Sequence, residues 1–219
     1  MRTRADNSAV IAGIYAASLV GNSPLVWLNI ASSDARGYAV SKISEVLPIV
    51  LVIFLAVKIS GRGLEGLRLH KGRPGLSILG GFGIGVVLFA YFLAQGGWQV
   101  YQSGNLIKLM PTIGWVTVFS IFNSIMEELW FRGLFLSRFE WQFGARWAFW
   151  LTAIIFGMLH AFGSFTGTLG SLLLTVFTLL LGVAFSFLVQ RTNSIWGAIF
   201  GHFFADFFMM LGFFATQSS

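Results

Sequence analysis

The chain has 219 residues, of which 56% are hydrophobic and 10% charged, and its formal net charge is +6. Soluble domains carry about 25% charged residues, so a cytosolic globule and a disordered chain are both excluded, and long apolar runs predict a polytopic membrane protein instead. The absence of cysteine excludes a disulfide scaffold, Cys-ligated zinc, an iron–sulfur cluster and a thiol nucleophile.

A spanning helix needs about 20 mostly apolar residues, and seven segments are predicted to span. In chain order they run over about 9–30, 43–59, 76–95, 112–137, 147–163, 169–190 and 194–213. The first is interrupted by Asn22, Ser23 and Pro24, which predicts a kink or two short pieces; six to eight spans fit the pattern. Met1-Arg-Thr-Arg4 is basic, but the apolar stretch after it is long for a signal peptide and has no clear cleavage site. The expectation is an all-α integral membrane helical bundle forming one domain over 1–219.

The loops between these segments carry a sign. With the N-terminus inside, the inner ends hold Arg2, Arg4, Lys58, Arg62, Arg68, Lys71, Arg73, Arg138, Arg146 and Arg191. The outer ends hold Arg36, Lys42 and Lys108. That bias predicts a cytoplasmic N-terminus in a cell (plasma or inner) membrane, and it reads the net +6 as topology, with no nucleic acid implied. Trp141, Trp147, Trp150 and Trp196 fall near the inner interface, and Trp27, Trp98 and Trp115 near the outer one, as an aromatic belt would. Trp130 alone sits deep. Gly81-xxx-Gly85 and Gly197-xxx-Gly201 are spacings that let membrane helices pack closely, here within the chain. Arg138 and Arg146 read as topology anchors, Glu140 as a solvated loop acid, and the basic loop around His70 as solvated.

Charged side chains at the bilayer centre cost about 2.5–3.5 kcal/mol each, and this chain nevertheless places several there. The fourth span holds Glu127, Glu128 and Arg132, the fifth His160, and the seventh His202 and Asp206. At about 1.5 Å rise per residue, Glu127 lies about 15 Å from the inner end of its span, His160 about 20 Å, His202 about 12 Å and Asp206 about 18 Å. All are near the middle of a hydrocarbon layer about 30 Å thick. Glu128 and Arg132 are four apart and share a face, as do His202 and Asp206. Glu127 and Glu128 point about 100° apart, so one can face a cavity while the other holds Arg132. Each residue taken singly has a plain structural reading, as an ion pair or a hydrogen-bonded core histidine. Their convergence at one depth is what points to a site.

Several chemistries suit such a cluster. Glu127 is suited to act as a general base on a water held by His160, with His202 and Asp206 at a developing oxyanion and Glu128 and Arg132 fixing the geometry behind them. Glu127, His160 and His202 are also an acceptable three-ligand set for a divalent metal such as zinc, although HExxH and its inverse are absent. No cofactor is required by the first chemistry. Proton-coupled transport and a non-catalytic immunity or partner-binding role are the other readings.

The order Glu127-Glu128-Leu-Trp-Phe-Arg132, then Phe156-Gly-Met-Leu-His160, then His202-Phe-Phe-Ala-Asp206, each on its own predicted span, resembles the CPBP family. That family comprises the type II CAAX prenyl endopeptidases and the bacteriocin-processing or immunity proteins also called Abi. The resemblance covers about 112–210, which would be the catalytic core. It implies an intramembrane endopeptidase acting on a membrane-associated, CAAX-type prenylated protein or peptide. By the same resemblance Glu127 and His160 activate water, His202 and the residue at 206 form the oxyanion site, and Glu128 and Arg132 assemble it; both glutamate-type and metal-dependent mechanisms are associated with the family. Prenyl-processing relatives commonly have Asn where this chain has Asp206. An ionised Asp cannot donate to an oxyanion, so orientation of His202 by the carboxylate is the expected role here. The implied partners are the substrate and the lipid bilayer; the pattern leaves the oligomeric state open.

Overall fold

The structure, a computed structural model, describes residues 34–59, 64–69, 72–94, 106–164 and 167–217. The helices are α1 (Ala35–Ile59), α2 (Pro74–Phe92), α3 (Leu106–Glu128), α4 (Leu136–Phe143), α5 (Ala145–Ser164), α6 (Leu169–Thr192) and α7 (Trp196–Gln217). A 3-10 turn, Leu64–Leu67, precedes α2, and a π-helical segment, Leu129–Phe135, joins α3 to α4. Among the described residues there is no strand. The predicted span at 9–30 lies outside the described residues; of the other six, five each fall on one helix, and that at 112–137 runs through α3, the π segment and the start of α4.

Local sequence explains several of the boundaries. Pro74 opens α2 at its first turn, where its missing N–H costs nothing and its φ is already helical. Thr168 caps α6, its hydroxyl oxygen accepting from the Ser171 N–H at 3.3 Å. The same helix ends on Asn193, whose left-handed φ of 51° is one that Asn tolerates.

Among the described residues, four helical stretches are long and apolar enough to cross a membrane: Ala35–Leu55, Pro74–Phe92, Leu169–Thr192 and Trp196–Ala215; Ala145–Ala161 is a shorter apolar helix. Only 22% of the apolar window of α1, and the same share of α2, is buried inside the protein. Leu47, Leu51, Leu79, Val87, Leu173 and Leu180 all point outward, each at least 59% exposed. So continuous an apolar exterior is incompatible with water and matches a bundle whose outer solvent is lipid. The chain is an integral membrane protein of helical-bundle fold.

The helices pack as α2 on α7, α3 on α7, α1 on α3, α5 on α6 and α4 on α5. Glycines set the closest of these approaches. A Cβ on Gly81 would overlap the Gly197 carbonyl, and one on Gly197 would overlap the Ser77 carbonyl. The Gly197 N–H donates to Ser77 Oγ at 2.9 Å, and that hydroxyl donates to the Ser194 carbonyl at 3.0 Å. Both small-residue spacings therefore serve packing within the chain, as expected from the sequence.

Two expectations are revised. The span predicted as one regular helix over 112–137 starts earlier, and beyond Glu128 its winding changes to π. Every residue of the π segment is buried, Arg132 among them, and π turns of this kind gather at functional sites. Leu67 presses on the segment, 3.2 Å from where a Cβ would sit on Gly133. Glu140 is not a solvated loop acid. It lies on α4, which folds back along α5, where it pairs with Arg68 and accepts from Gln190 Nε2 at 2.9 Å. Arg138, on the same helix, is 4% exposed and so is buried as well as positively charged.

The α2–α7 contact predicts a specific weakness. Gly197→Ala must push the helices apart and strain the Ser77 bond, an overpacking cost of about 1–3 kcal/mol. The expected outcome is a lower unfolding temperature in detergent than for the unmodified protein, with a smaller change for Gly83→Ala, where nothing lies within 4 Å of the new Cβ.

Candidate active site

The polar groups that the sequence places at mid-membrane come together between α3, α5 and α7, with α6 closing the back. Glu128 and Arg132 are both fully buried, and Arg132 Nη1 donates to Glu128 Oε1 at 2.8 Å. Arg132 Nη2 donates to the Gly182 carbonyl on α6 at 3.2 Å. The guanidinium lies over three rings, with its carbon 4.4 Å from the Phe156 centroid, 5.3 Å from Phe185 and 5.8 Å from Phe131. An arginine in a dry interior is held well by such a combination, because its planar fork bonds in the plane while its faces take aromatic contact.

His202 is fixed by the same ion pair. Its Nδ1 lies 2.7 Å from Glu128 Oε1. Glu128 is the partner of a buried arginine and accepts there, so Nδ1 carries the hydrogen. Asp206 stands farther off, with Oδ1 3.6 Å from His202 Nε2. The sequence reading had assigned the orientation of His202 to Asp206; the structure shows the close contact to come from Glu128. Helical spacing alone favours the i,i+4 partner, and the contact that won runs between helices.

His160 is fixed in a parallel way. Its Nδ1 lies 2.8 Å from the Phe156 carbonyl, one turn back on α5. A carbonyl only accepts, so Nδ1 again carries the hydrogen. Both imidazoles thus present Nε2 inward, and both meet Glu127: its Oε2 is 3.6 Å from His160 Nε2 and 3.8 Å from His202 Nε2. Glu127 Oε2 is buried and has no hydrogen-bond partner among the described residues.

Exposure is graded across the group. The side chains of Glu128 and Arg132 are wholly buried, those of His202 and Asp206 are 3% and 7% exposed, that of Glu127 14% and that of His160 30%. The site therefore opens on the His160 side and closes on the Arg132 side.

One residue absent from the sequence reading belongs to the group. Asn123, one turn before Glu127 on α3, donates from Nδ2 to Asp206 Oδ2 at 3.0 Å. A buried Asn in an apolar span, four residues from an acid, was the available signal. Phe185 and Gly182 on α6 also complete the Arg132 surroundings, and nothing in their residue types announces it.

As donors for a metal, Glu127, His160 and His202 stand slightly farther apart than bound ligands would. Ligands at 2.0–2.1 Å in a tetrahedron lie about 3.4 Å apart, and both measured separations from Glu127 Oε2 are wider. Among the described residues no group of three or more His, Asp or Glu side chains is arranged to hold a metal ion.

The ion pair gives a stability prediction. Removing one partner of a buried pair leaves an uncompensated charge, at a cost of about 3–5 kcal/mol. Arg132→Ala should therefore unfold at markedly lower temperature in detergent than Glu127→Ala, whose side chain lies partly open. Equal unfolding temperatures for the two variants would contradict this account of Arg132.

No curated protein matches the chain, and no solved structure does. Residues 109–208 match the model of a family described as type II CAAX prenyl endopeptidase Rce1-like. The matched stretch contains Glu127, Glu128, Arg132, His160, His202 and Asp206. Over these residues, a little under half of the chain, the sequence is similar to that family.

Proposed function

We propose that this protein is an intramembrane endopeptidase that hydrolyses a peptide bond in a membrane-associated substrate, with a CAAX-type prenylated chain end as the substrate class. The observation that carries the reading is the meeting of Glu127 Oε2 with two Nε2 atoms, at 3.6 and 3.8 Å. Each of those rings has its other nitrogen already committed to an acceptor. Glu127 Oε2 and His160 Nε2 are acceptors facing each other, which calls for a species with hydrogens to give, and a water molecule supplies two.

The proposed sequence of events follows from that arrangement. Glu127 takes a proton from the water as its oxygen adds to the scissile carbonyl, and His160 Nε2 orients that water. The carbonyl oxygen becomes an oxyanion. His202 stabilises it by donating from Nε2 in its imidazolium form, a charge that Glu127, Glu128 and Asp206 surround, all within 4 Å of a ring nitrogen. Collapse of the tetrahedral species breaks the C–N bond, and Glu127 returns its proton to the leaving amine. Glu128 and Arg132 do not touch substrate; they hold His202 at the angle the step needs.

Access supports a lipid-borne substrate. The most exposed member, His160, sits on α5, whose Ile154 and Met158 face outward at 43% and 50% exposure. A chain end approaching laterally meets apolar surface first and the polar group second. On the same reading the catalytic core is 112–210 within one membrane domain, and the basic end of the bundle faces the cytoplasm of a cell membrane.

Cleavage of a prenylated CAAX-type peptide by the purified protein in detergent or liposomes tests the proposal. Glu127→Ala should lower kcat by about 100-fold or more, in the range that a general base contributes, and His160→Ala should fall with it. Equal cleavage by unmodified protein and Glu127→Ala would overturn the assignment of the base. In a second arm, chelator treatment with measured metal content is expected to leave cleavage intact; loss that only added zinc restores would replace this mechanism with a metal-dependent one.

A further inference from the structure

Asn123 and Glu127 are four apart on α3, and His202 and Asp206 are four apart on α7. Each pair therefore shares a helix face, and the two faces meet as two rungs: Glu127 opposite His202, and Asn123 opposite Asp206. The second rung is the only one of the two closed by a direct hydrogen bond, Asn123 Nδ2 to Asp206 Oδ2 at 3.0 Å. It leaves the other carboxylate oxygen, Oδ1, turned toward His202 Nε2 at 3.6 Å. Asn123 is 5% exposed, and its Oδ1 has no partner among the described residues. A buried amide that makes one bond and leaves an acceptor open costs free energy, so packing alone does not explain why the position holds a polar side chain.

From this we infer that Asn123 is a positioning residue of the hydrolytic site, acting through Asp206. By holding Oδ2 it stops the carboxylate from rotating about its own axis and keeps Oδ1 facing His202. It also excludes the alternative in which Asp206 turns its charge directly onto Glu127, one rung away. The inference rests on the proposed endopeptidase reading, and it concerns a residue outside the three sequence motifs.

A double-mutant cycle on peptide cleavage separates this role from a structural one. Asn123→Ala should lower kcat by about 10- to 100-fold, the scale of a small misplacement of reacting groups, with KM changed by less than about threefold. Asp206→Ala should lower kcat at least as far. The decisive variant is the double Asn123→Ala/Asp206→Ala, which should match Asp206→Ala alone, because Asn123 then has nothing to position. Multiplicative losses, or an Asn123→Ala enzyme as active as the unmodified protein, would overturn the inference. Should the alanine variant fail to fold, as read from its unfolding temperature, Asn123→Asp serves: it keeps the size, sets two carboxylates against each other, and should show the same loss of kcat. Including Glu127→Ala in the series keeps the two claims apart. If it cleaves like unmodified protein, the endopeptidase mechanism itself falls; if it is inactive while the Asn123 variants behave as unmodified protein, only the role of Asn123 falls.

Discussion

A carboxylate and a guanidinium, both wholly removed from solvent, are the constraint around which this protein is arranged. Glu128 Oε1 accepts from Arg132 and from His202 at 2.8 and 2.7 Å, so one oxygen ties α3, the π segment and α7 together. Arg132 adds α6 through the Gly182 carbonyl, and the aromatic rings of Phe156 and Phe185 occupy its faces. A buried ion pair is weak evidence for stability as such, because desolvation offsets most of the attraction. Its value here is directional. Helices in lipid gain little from hydrophobic association with one another, and a pair that is costly when broken favours the arrangement that brings Arg132, Glu128, His202 and the Gly182 carbonyl together.

The two imidazoles show how the same logic reaches the reacting atoms. Each ring spends Nδ1 on a fixed acceptor, one a carboxylate between helices and the other a carbonyl one turn back, and each thereby turns Nε2 toward Glu127. Adjacent acids on one helix consequently have unlike environments. Glu128 bonds to Arg132 and His202 through Oε1, while Glu127 Oε2 faces the two Nε2 atoms with no hydrogen-bond partner among the described residues. Their 100° angular separation on the helix is sufficient to divide the labour between holding and reacting.

Much of this was legible in the sequence, for identifiable reasons. The lipid environment forces apolar runs of a fixed length, so the helices stood out, and it makes charge so unfavourable that each intramembrane acid or base was conspicuous. Glycine spacing pointed to close packing within the chain, because close approach admits no larger residue, while the pairing of α2 with α7 comes from the fold. What escaped notice depends on contacts between segments distant in the chain. That His202 has its closest contact with Glu128, at 2.7 Å against 3.6 Å to Asp206, depends on the separation of α3 and α7, which no spacing within α7 encodes. The π winding after Glu128 leaves no mark in residue type. Asn123 was visible as a polar residue, but its meaning comes from Asp206, 83 positions away. Glu140 was misjudged for the same reason, since its partner Arg68 lies on a segment that the fold brings back to it.

The graded exposure of the site has a mechanical side. α3 and α7 are joined by closed hydrogen bonds at Glu128 and at Asn123, and α7 is locked to α2 by glycines without slack. α5, which carries His160, packs chiefly on α6 and α4, and His160 reaches Glu127 across 3.6 Å without a closed bond. The site is thus stiff along three of its walls and compliant along the fourth. A peptide that wedges between α5 and α3 parts His160 from Glu127, a contact of 3.6 Å, and leaves the shorter bonds of Glu128 with Arg132 and His202 in place, so the dimension that widens to admit a substrate is the one with the longer contact.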